Sequence, residues 1–185
     1  MGNDTIGGCK CAAAGHLIEE WTANLSATVV PPDNPVTHAN DSGTAELDVL
    51  NYWRRTGVDH HKMEAFVALE PENNDHIRDS VLLFGGVHIG LALPVSAQTQ
   101  SVWTAPLGGP SGQGALGWWG GHAVPVVAYD NRTLTCVTGG QLKMMTWSLW
   151  QTYCDEAYAI PSPYWINSKN FAPNNVNPTT LRAEL

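Results

Sequence analysis

Two cysteines separated by a single residue, Cys9 and Cys11, are the side chains best suited to covalent chemistry in this sequence. Apolar residues follow helical spacing from Ala14 to Leu25, which predicts an amphipathic helix that begins near Cys9. A helix N-terminus stabilises a thiolate, the reactive form of cysteine, through its unpaired N–H groups and its dipole. Cys11 lies deeper among alanines, where a thiol is usually buried and inert. Cys9 is therefore the candidate nucleophile, and the simpler alternative is that both cysteines only fill the core.

A reactive thiolate needs an imidazole beside it, and the fold rather than the sequence distance must place that imidazole. Among the seven histidines, His122 is the best candidate because it stands at the start of an apolar strand, HAVPVVAY. Two tryptophans and two glycines precede it, and Trp118 and Trp119 are expected to exclude water and to line a groove for substrate. The other histidines fall in helical, polar or loop-like sequence, or have an ordinary structural role, as we expect for His88 on its strand.

Composition bounds the kinds of partner this chain can have. It has 185 residues and a formal net charge of -8, with only nine Lys and Arg. Nucleic acids and anionic membranes require clustered basic residues, so we expect neither as a partner. The longest apolar stretch, 80–97, is broken by glycines, a histidine and a proline, and so it does not predict a membrane span. Polar residues follow Met1 directly, so we expect no signal peptide and a cytoplasmic or virion-associated protein.

Two further helices are predicted between the first helix and the strand of His122. The second is expected to end at Gly57 and the third just before Gly85, because glycine commonly terminates helices. Each follows residues that commonly cap helix N-termini, which are Asp41 or Ser42 for the second and Asn74 or Asp75 for the third.

Strand patterns dominate the second half of the chain. Residues 87–93 alternate at strand period, and 122–129 and 133–138 form a hairpin around a turn at 130–131. A short helical segment and a last strand are expected within 146–163. Helices first and an antiparallel sheet afterwards make the class α+β. We expect one domain over 1–165 and a Pro- and Asn-rich tail over 166–185 that packs on a neighbour or is mobile.

The stretch GNDTIGGCKCAAAGHLIEEW, followed far downstream by GGHAVPVVAYD, resembles the papain-like cysteine peptidases. In that family a Gly-rich turn delivers the cysteine to a helix, and the histidine opens a strand. The sequence looks most similar to a small bacterial and phage branch, and the resemblance covers most of the chain. It implies a helical N-terminal part packed on a C-terminal antiparallel sheet or barrel. It also implies a cysteine-dependent peptidase or amidase that needs no metal and no cofactor.

The resemblance assigns roles to individual residues. It makes Cys9 the nucleophile and His122 the general acid and base. The glutamine that the family uses for the oxyanion corresponds to Asn3, whose side chain also ends in an amide. The family's asparagine that orients the histidine has no equivalent, because CVTGGQ stands in place of its NSWG-like motif. Thr138 is the nearest positional match and Gln141 the nearest amide.

Trp147 or Trp150 is expected to cover the same side of the groove, and the alternative is that they belong to the core. The implied substrate is a peptide or a peptidoglycan-type molecule, and a cell-wall amidase would share the chemistry of a peptidase.

One alternative is a papain-like protein that no longer cuts and serves as a binding or structural piece of a larger assembly, such as a phage particle. Another is a zinc site built from Cys9, Cys11 and one or two histidines, which the tight cysteine spacing disfavours.

Overall fold

The computed structural model describes residues 8–26, 45–58 and 60–165, together with residues 172, 175 and 177. The predictions for Asn3 and for almost all of the tail at 166–185 lie outside these residues. Within the described part, helices precede most of an antiparallel sheet, which confirms the α+β class. In chain order the helices and strands are α1 (Cys9–Ser26), α2 (Glu46–Arg55), β1 (Val67–Ala68), α3 (Asn74–Phe84), β2 (Val87–Leu93), β3 (Gly120–Tyr129), β4 (Thr133–Thr138), β5 (Gln141–Thr146), α4 (Trp147–Tyr153) and β6 (Cys154–Ala159).

The six strands of the described chain form one sheet in the order β1-β6-β2-β3-β4-β5, and every neighbouring pair is antiparallel. The central strands β2 and β3 pair over seven residues, with Leu91 opposite His122. Strand β5 was not predicted. Gly139 and Gly140 before it have φ values of 57° and 72°, the conformation that a two-residue hairpin turn requires. These paired glycines were the sequence signal for β5.

Apolar side chains cover both faces of the central sheet. One cluster fills the space between the sheet, α3 and α4, and includes Ile89 and Val124. The other lies under α1 and α2, where Trp21 and Trp53 stack with ring centroids 5.6 Å apart. Since β2 is buried along both faces, its alternating sequence reflects large and small side chains rather than core and solvent. None of the helices in the described part of the chain is long and apolar enough to cross a membrane.

The helix boundaries differ from the predicted ones at their N-termini. The N-cap of α2 is Ala45, which offers no side-chain hydrogen bond, and the predicted caps Asp41 and Ser42 lie outside the described residues. For α3 the cap is Asn73, one residue before the predicted pair, and its side chain accepts hydrogen bonds from the next turn. Gly85 ends α3 with a φ of 80°, as the sequence predicted. Several adjacent polar residues each suit a cap, so sequence locates it only within a few residues.

Candidate active site

Cys9 is the first residue of α1 and is half-buried, whereas Cys11 is buried one half-turn further along the helix. Burial, together with the neighbouring Cys9 and Glu46, raises the pKa of the Cys11 thiol to about 11. Cys11 is therefore a neutral thiol at neutral pH, as the sequence predicted. Burial likewise raises the pKa of Cys136 to about 12 and that of Cys154 beyond its usual range.

His122 is the third residue of β3, and its imidazole is held by the neighbouring strand. Its Nε2 lies 2.8 Å from Oγ1 of Thr138, the last residue of β4. A threonine hydroxyl can donate to or accept from an imidazole nitrogen, so this contact is compatible with the tautomer protonated at Nε2. In that tautomer Nδ1 is free to accept a proton from a thiol. Thr138 thus occupies the position from which the imidazole can be oriented.

Two indoles enclose the His122 ring. Trp119 stacks on it with centroids 6.3 Å apart and an interplanar angle of 26°. Trp103 meets it edge-on at 6.0 Å. This burial lowers the pKa of His122, because the imidazolium loses hydration. Trp103 follows a short 3-10 helix and was not predicted to lie at the site, because no motif in the sequence marks it.

The remaining candidates in this region are Gln141, Trp118 and Trp119. Gln141 pairs with Thr138 across the β4–β5 turn and is exposed, and the described hydrogen bond to His122 comes from the threonine. Trp118 is 59% exposed, so its indole faces solvent beside the stacked Trp119, which is 42% exposed. Both tryptophans are therefore accessible to a bound molecule.

Trp147 does not line the predicted groove. It is buried at the start of α4, where its Nε1 donates to the main-chain carbonyl of Asp130 at 3.0 Å. Asp130 follows the last residue of β3, roughly 25 Å from His122 at about 3.3 Å per strand residue. Trp147 thus packs at the opposite end of the strand, where Arg78 lies over its ring. Trp147 was predicted to line the groove because it is a tryptophan, but the residue type does not show where a side chain lies in the fold.

The nucleophile and the histidine reside on elements that pack together, because α1 lies along β3. Within the described residues no hydrogen bond joins the Cys9 thiol to His122. Such contacts commonly tighten only when substrate binds. The described residues also contain no group of three or more His, Cys, Asp or Glu side chains arranged to hold a metal.

No protein-family model and no curated protein matches the sequence, but solved structures match it closely in shape. Xylellain, a cysteine protease from Xylella fastidiosa, superposes with a TM-score of 0.62 at 14% identity, over 85% of this chain and 80% of its own. A Carica candamarcensis cysteine protease in complex with E-64 gives 0.56 at 12% identity, over 85% and 89%. The chain has a papain-like fold. Its N-terminal helix starts at Cys9 and packs on the antiparallel sheet, as the resemblance implied.

A third papain-like structure differs in size. The clostridial cysteine protease Cwp84, after propeptide cleavage, gives a TM-score of 0.62 at 9% identity, over 86% of this chain but 54% of its own. This chain therefore spans about half of that protein. The TM-scores establish the papain-like fold, and identities this low establish nothing about activity. The bacterial and phage branch of the family stays a prediction.

Proposed function

We propose that this chain is a cysteine-dependent hydrolase, a peptidase or amidase, with Cys9 as nucleophile and His122 as general acid and base. The observation that carries the proposal is the His122 ring, held by Thr138 and enclosed by two indoles, on a strand packed against α1. The raised pKa values of the other three thiols support Cys9 as the reactive one. The papain-like fold is consistent with this chemistry.

The proposed reaction is acyl transfer to sulfur and then to water. The Cys9 thiolate attacks the amide carbonyl carbon, and the carbonyl oxygen becomes an oxyanion that the Asn3 side chain and the Cys9 main-chain N–H stabilise. The His122 imidazolium donates its proton to the leaving amine as the C–N bond breaks. Water then attacks the thioester while His122 takes its proton, which releases a carboxylic acid and restores the thiol. No step requires a cofactor.

The side chains around His122 have distinct proposed roles. Thr138 holds the ring in the tautomer that leaves Nδ1 facing the thiol, in place of the family's asparagine. Gln141 lies beside Thr138 in the sheet and is proposed as its polar neighbour rather than as a direct partner of the ring. Trp118 and Trp119 provide exposed apolar surface for a peptide or a peptidoglycan stem.

Thiol labelling across pH tests the proposal. The protein is treated with iodoacetamide from pH 5 to 8, and the modified cysteine is identified by peptide mass spectrometry. We expect fast labelling of Cys9 alone that persists at low pH and is lost in His122→Ala. His76→Ala serves as the control, because His76 is partly exposed on α3 and its ion-pair partner is the exposed Glu70. If Cys9 reacts slowly and His122→Ala behaves like the native protein, the hydrolase proposal fails and the non-cutting alternative replaces it.

Substrate class is tested separately. Loss of turbidity of bacterial cell walls would identify an amidase of peptidoglycan, and cleavage of denatured protein would identify a peptidase. Cys9→Ser provides the blank in both assays, because it removes the thiol and changes little else. We propose a peptide-type substrate, since the exposed indoles suit extended chains with apolar side chains.

A further inference from the structure

A buried ion pair lies beneath the first turn of α1. His88 in β2 and Glu46, the first residue of α2, are fully buried, and Nδ1 of His88 contacts Oε1 of Glu46. On the opposite side of its ring, Nε2 of His88 lies 3.0 Å from the main-chain carbonyl oxygen of Lys10. The ammonium group of Lys10 lies 4.0 Å from Oε2 of Glu46. His88 therefore connects β2, α2 and the first turn of α1.

The geometry requires a proton between His88 and Glu46. A carbonyl oxygen only accepts hydrogen bonds, so Nε2 of His88 must donate to Lys10. A neutral imidazole protonated at Nε2 would place the lone pair of Nδ1 against the carboxylate. A proton therefore lies between Nδ1 and the carboxyl group, while Nε2 donates to the Lys10 carbonyl. Burial by itself lowers the pKa of His88, but the charge and hydrogen bond of Glu46 and the bond to the Lys10 carbonyl raise it overall.

The stability of the domain does not explain why such a pair is present. Well-packed apolar side chains of similar volume stabilise an interior as well as a buried ion pair does, or better. Glu46 also does not act as a cap, since α2 begins without a side-chain cap and the carboxyl group turns inward. A better explanation is the hydrogen bond from His88 to the main-chain carbonyl of Lys10, the residue that directly follows Cys9.

The strand that carries His88 also pairs with the strand that carries His122. In β2, Leu91 lies opposite His122, and His88 lies three residues before Leu91. Strand β2 therefore contacts the first turn of α1 through His88 and pairs with β3, the strand of His122, in the sheet. The N–H groups that stabilise the Cys9 thiolate belong to that same first turn. The direction of these groups depends on where the turn is anchored.

We propose that His88 and Glu46 are positioning residues that anchor the carbonyl of Lys10 to the sheet and so fix Cys9 relative to the strand of His122. This inference rests on the proposed hydrolase function. Glu46 acts by holding the His88 ring, and His88 acts by donating to the carbonyl, so the two side chains form one device. Neither touches the reacting atoms.

Two double variants isolate the hydrogen bond to Lys10. His88→Gln with Glu46→Gln is neutral, and its new amide can still donate to the Lys10 carbonyl. His88→Leu with Glu46→Gln is also neutral and of similar volume, but it has no donor. The measurement is the second-order rate of iodoacetamide labelling of Cys9 at pH 7, with folding checked by circular dichroism. Leu134→Ala controls for general destabilisation, since Leu134 is buried on β4 in the other core cluster.

We expect the first double variant to label Cys9 at close to the native rate and the second to label it about tenfold to a hundredfold more slowly. Equal native rates in both, or a slowing in Leu134→Ala as large as in the leucine variant, would overturn the positioning role. If the leucine variant does not fold, His88→Asn with Glu46→Gln replaces it, because the shorter amide does not reach the carbonyl. Slow labelling is again expected, and a native rate again overturns the proposal.

The failure of each proposal gives a different result. If Cys9 of the native protein reacts no faster than a free thiol, the hydrolase function fails and the positioning role fails with it. If native labelling is fast and depends on His122 while both double variants keep the native rate, only the positioning role fails.

Discussion

His88 and His122 lie on adjacent strands of one sheet and have opposite electrostatic surroundings. His88 is fully buried against a carboxyl group, and its pKa is raised. His122 is enclosed by indoles, its polar partner is the neutral hydroxyl of Thr138, and its pKa is lowered. Burial acts on both rings in the same direction, so the difference comes from the charge of the partner. A carboxylate fixes a proton on His88, whereas a hydroxyl leaves His122 free to gain and lose one.

Removal of the His122 imidazole should have the largest effect on activity. We expect His122→Ala to lower turnover by roughly 10⁴-fold, because the variant loses both proton transfers. Folding should change little, since the ring has only a neutral hydrogen-bond partner. Turnover of a fluorogenic peptide and urea denaturation measure the two effects. A loss of unfolding free energy of about 3–5 kcal/mol, the size expected when a buried ion pair is broken, would show that His122 resembles His88 more than the structure indicates.

Removal of the His88 ring should lower the stability of the protein as well as slow the labelling of Cys9. His88→Ala leaves the Glu46 carboxylate buried without its partner, which costs about 3–5 kcal/mol of unfolding free energy. Urea denaturation at pH 7 measures the loss. The double variant with Glu46→Gln should recover part of it, because a neutral amide is less costly to bury. A loss below about 1 kcal/mol, the value typical of a surface pair, would contradict the buried ion pair.

Replacement of the neutral partner should weaken the site without unfolding it. We expect Thr138→Val to lower turnover by about tenfold, because the ring loses the hydroxyl that orients it while the side-chain volume is kept. Thr138→Asn should retain activity, since its amide oxygen can accept from the same N–H. The kcat values of the two variants on one substrate give the comparison. Equal loss in both would mean that the hydroxyl does not orient His122.

Stability as a function of pH should distinguish the two histidines by sign. His88 has a raised pKa, so its contribution is complete below the unfolded value of about 6.5 and is lost as pH rises through the folded pKa. Glu20 adds a loss of the same sign, because burial raises its pKa to about 8. Urea midpoints from pH 5 to 9 should therefore fall on the alkaline side less in Glu46→Gln than in the native protein. An unchanged slope would exclude His88 as a source.

His122 contributes in the opposite direction. Its lowered pKa means that the folded state favours the neutral ring, so stability is lost as pH falls from about 6.5 toward the folded pKa. His122→Ala should remove this acidic loss and leave the alkaline one. If the variant instead removed the alkaline loss, the two histidines would have exchanged roles.

Sequence reasoning located one of these histidines and not the other for a physical reason. His122 stands in a recognisable stretch, and the resemblance to papain-like peptidases pointed to Thr138 on the next strand of the hairpin. The partner of His88 is Glu46, which belongs to a helix much earlier in the chain. Only tertiary packing brings these side chains together. The same limit applies to Trp103, which reaches His122 through the fold alone.

The helices and strands show the same limit, because those with a clear local pattern were predicted and those without one were not. Helix α1 and strands β2 to β4 have strong periodicity, and their positions were predicted. Strand β5 was missed because two of its apolar residues face solvent: Leu142 is 72% and Met144 is 47% exposed. This reverses the usual pattern of polar residues outside, and no local rule reports which face of an edge strand meets the core.

The position of β6 in the sheet has a consequence for how the protein is made. This strand is the last in the part of the chain that the structure describes but lies between β1 and β2, with Val67 opposite Ala159. A ribosome-bound chain that ends before residue 154 therefore has β1 without its neighbour and one edge of β2 unpaired. Pairing across so long a loop is slow, because the chain entropy of closing it is lost before the strand contacts form. We therefore expect the sheet to be completed only after nearly all of the domain has left the ribosome.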